Sequence, residues 1–534
     1  MRRRDLLTAA AATTFVAGVA PRLGFGADRA KTLIFTGVAD LSVLDPVVTG
    51  ARPTRNSAYL VFDTLYGLDT NWQAQPQMVE GHEVSADKLS WTLKLREGLH
   101  FHDKEPVLAK DVVASVRRFA PRVIFASALM AVTDELSAPD DRTVRFRLKR
   151  PFPHLPEALA GPGGNVPAIM PERLAAESPF KPVAEIVGSG PFRYLKDEHV
   201  SGARVVFERF AEYRPRAAEG PAGARGFTSG PKVAHFDRVE WLTLDPFSAS
   251  AALKRGEIDW WENPARDLVG QVSGDLNITV VSHFATANGI MTFNQLHPPF
   301  DDPAIRRALL GAVDQAEAIS TIAGDDKNNW RDGIGLFSTG SPLASDVGIE
   351  VLKSPRDYAK VKQALTAAGY KGERIIVVAP TDVRELGDLT RTGAEQLGRA
   401  GMNVDLQEFD FGNVIRRRNN QGPPDNGGYN MFCTLIDRSL PNVHPFGNLA
   451  IRADGKEPIN GWANSPKSEE LRAAWLDTAD LEQQKKICEE LQKQLWQDVL
   501  FIPLGEYWQA SAYRKRLVDI IPGCFATFYG VRPA

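Results

Sequence analysis

A short histidine-rich run is the first place in this sequence where side chains could do chemistry. The stretch at 89–119, LSWTLKLREGLHFHDKEPVLAKDVVASVRRF, contains His100, His102 and Asp103 within four positions. Imidazole nitrogens and carboxylate oxygens are zinc ligands, and a closed zinc site needs three or four of them. The run supplies two histidines on one side of a strand and one nearby carboxylate. A metal site and a piece of scaffold are therefore both open interpretations at this point.

Other enzyme motifs are absent from the sequence. It contains no G-x-S-x-G, no H-E-x-x-H, no P-loop and no G-x-G-x-x-G. The run VGSGPF has glycines only at 188 and 190, and Pro191 fits a turn rather than a phosphate cradle. Two carboxylates flanking a cleft, as in glycosidases, keep a secreted hydrolase as a distant alternative. We therefore expect no enzyme, no catalytic residues and no cofactor.

The composition is that of a globular protein with room for two or three domains. The chain has 534 residues, of which 43% are hydrophobic and 24% are charged, and its formal net charge is −3. A nucleic-acid-binding protein would carry a clear basic excess, so we expect no nucleic-acid partner. No apolar run approaches the roughly 18–20 residues that a membrane-spanning helix needs. The mature chain is therefore expected to lack an integral membrane segment.

The N-terminus has the layout of an export signal. Three arginines at 2–4 precede an apolar stretch at about 6–20, and small residues follow. The basic start resembles the twin-arginine pattern, with leucine in place of its usual phenylalanine, and the general export route stays open. We predict that residues 1–26 are removed by cleavage near Gly26 and Ala27 and that the mature protein is periplasmic.

Cysteine usage indicates that a hydrophobic core, rather than disulfides, stabilises the mature protein. The sequence has only Cys433, Cys488 and Cys524, which are widely spaced and form no C-x-x-C. At most one bridge could form, and the spacing does not say which.

Periodicity in the first third predicts a small strand-and-helix domain. Apolar residues at 89, 91, 93 and 95 alternate with polar ones, which is typical of a half-buried strand. His100 and His102 fall on the polar side of its continuation. From Ala109 onward the apolar spacing changes to a helical period. We place this domain at about 76–184.

Strands and helices alternate through the rest of the chain, which predicts an α/β architecture. The segment 56–68, NSAYLVFDTLYGL, has apolar residues at helical spacing. The segment 301–323 is predicted to be one helix, with Asp302 as N-cap and Pro303 at its first position. A strand, a helix and a strand within 374–408 predict one βαβ unit.

Nine segments, taken in chain order, resemble the oligopeptide- and dipeptide-binding proteins of bacterial ABC transporters. Together they cover essentially the whole mature chain. They are LDP at 44–46, VFDTLY at 61–66, the run at 83–118, VGSGPF at 187–192, ALKRGEID at 252–259, FNQLHPPFDDPAIRRALLGAVD at 293–314, DYAKVKQALTAAGY at 357–370, YNMFCTLID at 429–437 and LFIPL at 500–504.

The resemblance implies a two-lobed periplasmic binding protein of type II, in its large three-domain form, with a hinged ligand cleft. Lobe I would comprise 27–75, 185–285 and 505–534, the small extra domain 76–184, and lobe II 286–504. The implied function is the substrate-binding subunit of an ABC importer, which captures short peptides and delivers them to the membrane permease. The implied partners are the permease and the ATP-binding subunits, and a monomer is expected.

The resemblance also bears on the histidine run, because in this family that segment is scaffold of the small domain. We therefore predict a scaffold role for His100 and His102, and no bound metal. The sequence departs from the family at Lys104, where glycine is usual, and at Leu108, where threonine is usual. The family often has a tryptophan shortly before Asp437, and here that place is Thr434 or Leu435, which leaves the ligand preference open.

The ligand site implied by the resemblance centres on Asp437. It lies where the family places the aspartate that binds the peptide ammonium, and the alternative is a turn carboxylate. A terminal carboxylate would need an arginine, for which Arg438 and Arg452 are nearby in sequence; a solvated surface role is the alternative for either one. A peptide could also add as a strand along 289–294, which ends at Asn294.

Trp462 completes the predicted ligand-binding residues, as an apolar wall of the cleft or as an ordinary core tryptophan. Within the binding-protein class a different solute is the second hypothesis, namely a metal chelate, an oligosaccharide or an opine, because a fold does not fix its ligand.

Overall fold

The computed structural model describes residues 28–161, 164–217, 226–437 and 444–534. The predicted export signal at 1–26 lies outside these residues, and so does Arg438.

The strands of the described residues fall into two groups, most of them short and two of them long. In chain order they are β1 (Thr32–Thr36), β2 (Tyr66–Leu68), β3 (Ala74–Pro76), β4 (Val79–Val84), β5 (Ser90–Leu95), β6 (Thr133–Ser137), β7 (Thr143–Leu148), β8 (Phe192–Tyr194), β9 (Arg204–Arg209), β10 (Arg238–Leu242), β11 (Trp260–Trp261), β12 (Ile278–Phe293), β13 (Trp330–Arg331), β14 (Arg374–Pro380), β15 (Asn403–Phe409), β16 (Met431–Asp437), β17 (Phe501–Arg514), β18 (Leu517–Val518) and β19 (Arg532–Pro533).

The helices are spread along the whole described chain. They are α1 (Arg52–Val61), α2 (Ala109–Phe119), α3 (Ile124–Val132), α4 (Leu155–Ala160), α5 (Glu172–Ala175), α6 (Pro246–Arg255), α7 (Arg266–Ser273), α8 (Pro303–Leu309), α9 (Gln315–Ala323), α10 (Glu350–Lys353), α11 (Tyr358–Ala367), α12 (Arg384–Arg399), α13 (Phe411–Arg418), α14 (Pro466–Leu476) and α15 (Leu481–Asp498).

One mixed sheet runs through both halves of the molecule. Its strand order is β15-β14-β16-β12-β17-β11-β1-β10-β9-β8, with β13 paired to β17. The long strands β12 and β17 pair with each other over most of their length. At one end they join β11, β1, β10, β9 and β8, which we call lobe I, and at the other end they join β16, β14, β15 and β13, which we call lobe II. The lobes are therefore connected by two crossing strands.

The predicted lobe boundaries at 285/286 and 504/505 fall inside or beside these crossing strands, and the domain bounds themselves stay a prediction. The antiparallel ladder of β12 and β17 shifts register between Val281 and Ala285 and again between Asn288 and Ile290. Such irregularities bend and twist a strand locally. They lie where the chain passes from one lobe to the other.

The small domain contains a four-stranded sheet in the order β4-β5-β7-β6. Trp91, Leu93 and Leu95 on β5 are buried, while Lys94 between them is exposed, so the alternation predicted from the sequence is confirmed. α2 follows, and Asp111 in its first turn accepts a hydrogen bond from the Leu108 amide at 2.8 Å.

Two helices differ from their predictions. The helix expected at 56–68 begins four residues earlier and ends at Val61, and Tyr66–Leu68 is a strand. The single helix expected at 301–323 is two helices, because Asp314 caps a second one by accepting from the Glu317 amide at 3.0 Å. Asp302 caps the first as predicted, accepting from Ala304 at 2.7 Å. The βαβ unit of β14, α12 and β15 is confirmed, with its two strands parallel.

Buried polar networks hold the lobe I segments to their neighbours. Asp45 accepts two hydrogen bonds from Arg118 on α2, at 3.2 and 2.7 Å, and neither side chain is more than 1% exposed. Asp259 accepts from Arg29 at 2.7 Å and from Arg516 at 2.6 Å, which ties the first described residues to the end of the chain. All three cysteines are buried free thiols.

Within the described residues, every helix is too short or too polar to cross a bilayer.

A cluster of rings joins the small domain to lobe II. His154 stacks on Trp475 of α14 with ring centroids 4.6 Å apart, and its Nε2 donates to the Thr478 carbonyl at 3.1 Å. The His444 ring lies 5.3 Å from that of Trp475. His154, His444, Trp475 and Glu157 all border a cavity of about 190 Å³. Burial lowers the pKa of His444 to about 3, and neither of its ring nitrogens has a hydrogen-bond partner among the described residues.

The ion pair of Asp45 and Arg118 should matter for folding. Asp45→Ala leaves a buried guanidinium without its carboxylate, so we expect the free energy of unfolding to fall by about 3–5 kcal/mol in urea denaturation. Asp134→Ala is the matched control, because its pair with Arg147 is about half exposed and such pairs contribute only about 0–1 kcal/mol. Equal losses in the two variants would contradict the structural role of Asp45.

The buried His444 should make stability depend on pH. With a folded pKa of about 3 and an ordinary value of 6.5, only the unfolded chain binds the proton between these values. Its contribution is then complete above about pH 6.5 and is lost as the pH falls, by up to ~1.4 kcal/mol per unit. We expect the melting temperature of His444→Phe to fall less than that of the wild type between pH 7 and pH 4. The exposed His235 offers the control variant His235→Phe, which should follow the wild type; a His444→Phe curve parallel to both would refute the assignment.

Candidate functional site

The crossing strands form a floor between the lobes. Asp437 on β16, Ala287 on β12 and Tyr507 on β17 are paired directly across the sheet, so their side chains project from the same face. Ala285 and Gln509 form the next pair on that face. Because both β12 residues are alanines, the floor carries only methyl groups between the acid of Asp437 and the phenol of Tyr507. Ala287 is itself fully buried, whereas the Asp437 side chain is 30% exposed.

Helix α1 brings two arginines to this floor. It begins at Arg52, with Pro53 in its first turn, and packs against β8 of lobe I. Arg52 and Arg55 are three residues apart and therefore share a helix face. Arg52 Nη2 donates to Asp437 Oδ1 at 2.8 Å, and Arg55 Nη2 donates to Asp437 Oδ2 at 3.3 Å. We call these three residues the interlobe ion triad, because α1 belongs to lobe I and β16 to lobe II.

The triad is enclosed but reachable. The exposed fractions of the side chains are 13% for Arg52, 5% for Arg55 and 30% for Asp437. Burial by itself raises the pKa of Asp437, but the charges of the two arginines outweigh it, so the pKa lies below its ordinary value. Burial lowers the pKa of Arg52, and the charges of Asp437 and Glu262 reverse this and raise it. Asp437 and Arg52 are therefore both ionised at neutral pH.

Further polar groups surround the triad. Glu262 accepts from Asn56 Nδ2 at 2.7 Å and from the Val38 amide at 3.2 Å. Gln509 Nε2 donates to the Tyr507 hydroxyl at 3.0 Å, and burial raises the pKa of Tyr507 to about 12. Tyr507 is therefore a neutral phenol that can donate or accept a hydrogen bond in the cleft.

The Arg55 guanidinium is fixed in its plane, but not all of its hydrogen-bond donors have partners. Its guanidinium carbon lies 5.2 Å from the ring centroid of Phe525. Its Nε is buried and has no hydrogen-bond partner among the described residues. The Oε1 of Gln509 is also buried and also lacks a partner among them. The site thus combines the interlobe ion triad with one donor, Arg55 Nε, and one acceptor, Gln509 Oε1, to which a bound molecule can hydrogen-bond.

Of the predicted site residues, Asp437 lies in this cleft, and the other predicted residues are not found there. Arg438 is outside the described residues. Arg452 is bound within lobe II, to Asp454 at 2.8 Å and to Glu457 at 3.6 Å.

Asn294 and Trp462 lie in the core of lobe II. Asn294 is fully buried, its Nδ2 donates to the Tyr429 carbonyl at 3.0 Å, and its Oδ1 accepts from the Leu296 amide at 3.1 Å. Trp462 is 3% exposed and packs near Tyr429 and Phe432. Their predicted contact with ligand is corrected accordingly, because both side chains already have a complete structural role.

Strand addition along 289–294 is also corrected. This part of β12 is already paired with β16 on one side and with β17 on the other. It therefore offers no open edge to a peptide.

The histidine run is scaffold. His102 was expected on a polar face, but it is buried, with its Nε2 3.0 Å from the Gly190 carbonyl and its Nδ1 accepting from the Gly188 amide at 3.4 Å. It thus pins the VGSGPF turn to the small domain, and burial lowers its pKa to about 4. Across the described ranges, no three histidine, cysteine, aspartate or glutamate side chains are grouped to hold a metal ion.

Arg52, Arg55 and Tyr507 are functional-site residues that were not predicted from the sequence. A signal for the arginines exists, because ARPTRNS places two charges at helical spacing directly before an apolar run. Nothing in the sequence indicates that they meet a residue 385 and 382 positions away.

Comparison with known proteins places the chain among transport proteins. The sequence profile of the bacterial extracellular solute-binding proteins, family 5 (middle region), matches residues 73–456. A relative from Sinorhizobium fredii, named as a probable peptide ABC transporter periplasmic-binding protein, is 34% identical over a 541-position alignment that covers 100% of this chain and 99% of the relative.

Solved structures share the fold. The periplasmic binding protein DppA of Helicobacter pylori in complex with the peptide STSA superposes with a TM-score of 0.76 at 18% identity, covering 94% of this chain and 98% of that one. The binding protein AgaA of A. tumefaciens in complex with agropinic acid gives 0.73 at 20% identity, covering 94% and 99%. The two-lobed type II binding-protein fold predicted from the sequence is thereby confirmed. The chain belongs to family 5 of the bacterial extracellular solute-binding proteins.

Proposed function

We propose that the protein is the extracytoplasmic substrate-binding subunit of an ABC importer and that it captures short peptides between its lobes. The observation that carries this proposal is the interlobe ion triad, in which a carboxylate of lobe II meets two arginines of lobe I in an accessible cleft. The peptide specificity of the S. fredii relative, as named, supports the ligand class.

Binding and closure are linked through Asp437. A buried peptide ammonium must meet a carboxylate, because an unpaired charge in the closed cleft is strongly unfavourable. A ligand held by both lobes stabilises the closed arrangement, whereas one held by a single lobe does not shift the equilibrium. The lobes move about β12 and β17, with the domain bounds given above.

The surrounding biology follows from this role. The protein is not an enzyme; it is exported by way of the signal at 1–26, which is removed near Gly26 and Ala27, and it works in the periplasm as a monomer. Its partners are the permease and the ATP-binding subunits of the importer, which receive the solute after closure.

A second candidate is a non-peptide solute of the same transport role. The observation that favours it is the neutralisation of Asp437 by two arginines, which leaves this carboxylate less available to an ammonium alone. The complex of the related fold with agropinic acid supports the same reading.

A thermal-shift screen of the mature protein separates the two candidates. Ligand binding raises the melting temperature by mass action, so we expect di- and tripeptides to raise it while sugars and metal chelates at equal concentration do not. A shift given only by a sugar or a chelate would reject peptide capture and keep the transport role.

Substitution of the central carboxylate tests its contact with the ligand. We expect Asp437→Ala and the isosteric Asp437→Asn to weaken peptide binding at least ten-fold in isothermal titration, because the ammonium loses its counter-charge. The control is Asp454→Ala, which removes a carboxylate of lobe II that is paired with Arg452. Unchanged peptide affinity in both Asp437 variants rejects the role.

A further inference from the structure

Asp437 does not face the cleft as a single negative charge. Both of its oxygens already accept from guanidinium groups, Oδ1 from Arg52 and Oδ2 from Arg55. An arriving ammonium would therefore meet two positive charges around one carboxylate. Glu262 adds a further negative charge near Arg52, but its oxygens are bound to Asn56 and to the Val38 amide.

The two arginines are bound unequally. The contact of Arg52 is 2.8 Å, and that of Arg55 is 3.3 Å. The Nε and Nη2 of an arginine form one edge that binds a carboxylate through two parallel hydrogen bonds. In Arg55 the Nε is buried without a partner in the described part of the chain, and the Nη2 makes only the long contact. This edge is suited to a second carboxylate.

Phe525 fixes the orientation of the Arg55 guanidinium and therefore of its Nε and Nη2 edge. Its ring lies under the Arg55 guanidinium, with 5.2 Å from the guanidinium carbon to the ring centroid, and the Arg55 side chain is 5% exposed. A preorganised arginine loses little conformational freedom when a carboxylate binds. The site therefore offers an oriented anion position beside an ammonium position.

Building on the proposed function, we propose that the cleft recognises the head group of an amino acid, in which a free ammonium and a free carboxylate are on one carbon. The ammonium pairs with Asp437, and the carboxylate binds the Nε and Nη2 edge of Arg55. Every ion pair broken in the empty site is then replaced by a new one. An ordinary α-linked peptide presents the ammonium without this carboxylate, whereas a side-chain-linked peptide presents both. The preferred ligand class is accordingly peptides or conjugates linked through a side chain, such as γ-glutamyl compounds.

Two isomeric dipeptides test this proposal. γ-Glu-Ala and α-Glu-Ala have the same atoms and the same net charge, and only the first keeps an amino-acid head group. In isothermal titration of the mature protein we expect γ-Glu-Ala to bind at least ten-fold more tightly. Arg55→Gln and Arg55→Lys should reduce the preference to less than three-fold, since lysine keeps the charge but lacks the two-donor edge. Arg255→Gln is the control, because this exposed arginine pairs only with Glu257 among the contacts given by the structure.

The outcomes separate this inference from the proposed function. Equal or tighter binding of α-Glu-Ala overturns the head-group proposal and leaves peptide capture standing. A γ preference that survives in both Arg55 variants also overturns it. Binding of neither isomer, when trialanine binds, overturns it again. If the isomers and trialanine all fail to bind, both the inference and peptide capture fail. Should the Arg55 variants not fold, the comparison of the two isomers on the wild type decides alone.

Discussion

A carboxylate enclosed between two lobes must meet positive charge or give up its ionised form, and this requirement determines the surroundings of Asp437. Arg52 and Arg55 meet it from α1, and their charges hold the pKa of Asp437 low although burial alone would raise it. Because α1 is part of lobe I and Asp437 part of lobe II, satisfying one charge also fixes the distance between the lobes. The same contact therefore neutralises Asp437 and sets the arrangement of the two lobes.

The two long strands make this contact adjustable. β12 and β17 stay paired with each other from one lobe to the other, so a change in lobe angle bends two strands and exchanges no sheet partners. The register shifts near Ala285 and Asn288 place irregular backbone at the crossing, where a ladder bends most easily. Ala287 pairs with both Asp437 and Tyr507 and places only a methyl group between them. The hinge and the floor of the site are thus built from the same residues.

Local patterns made much of this fold predictable. The alternation ending at Leu95, the cap formed by Asp302 and the parallel βαβ unit each depend on residues close together in sequence, and all are confirmed. Asp437 was identified through resemblance to a family rather than through its own neighbours. Its partners were not, because no periodicity connects Arg52 with a residue 385 positions further on.

Burial explains the remaining errors. His102 and Asn294 are polar residues that the pattern places at a surface or a site, yet both are buried with backbone partners that satisfy them. Such partners come from segments far away in sequence, and a polar residue type alone does not distinguish a ligand contact from a satisfied core position. The helix expected at 301–323 failed for a local reason, since the capping power of Asp314 was overlooked.

In the empty site the charges of the interlobe ion triad already neutralise one another, so a ligand must replace each ion pair that it breaks. A ligand shifts the balance between open and closed lobes only by the difference in its affinity for the two. A neutral solute leaves the interlobe ion triad intact and gains nothing from it, while an ammonium alone competes with two guanidiniums for Asp437. A solute that carries both charges exchanges each broken ion pair for a new one and keeps the lobes in contact. Exchange of charge, rather than its addition, is then the physical basis on which this cleft distinguishes one solute from another.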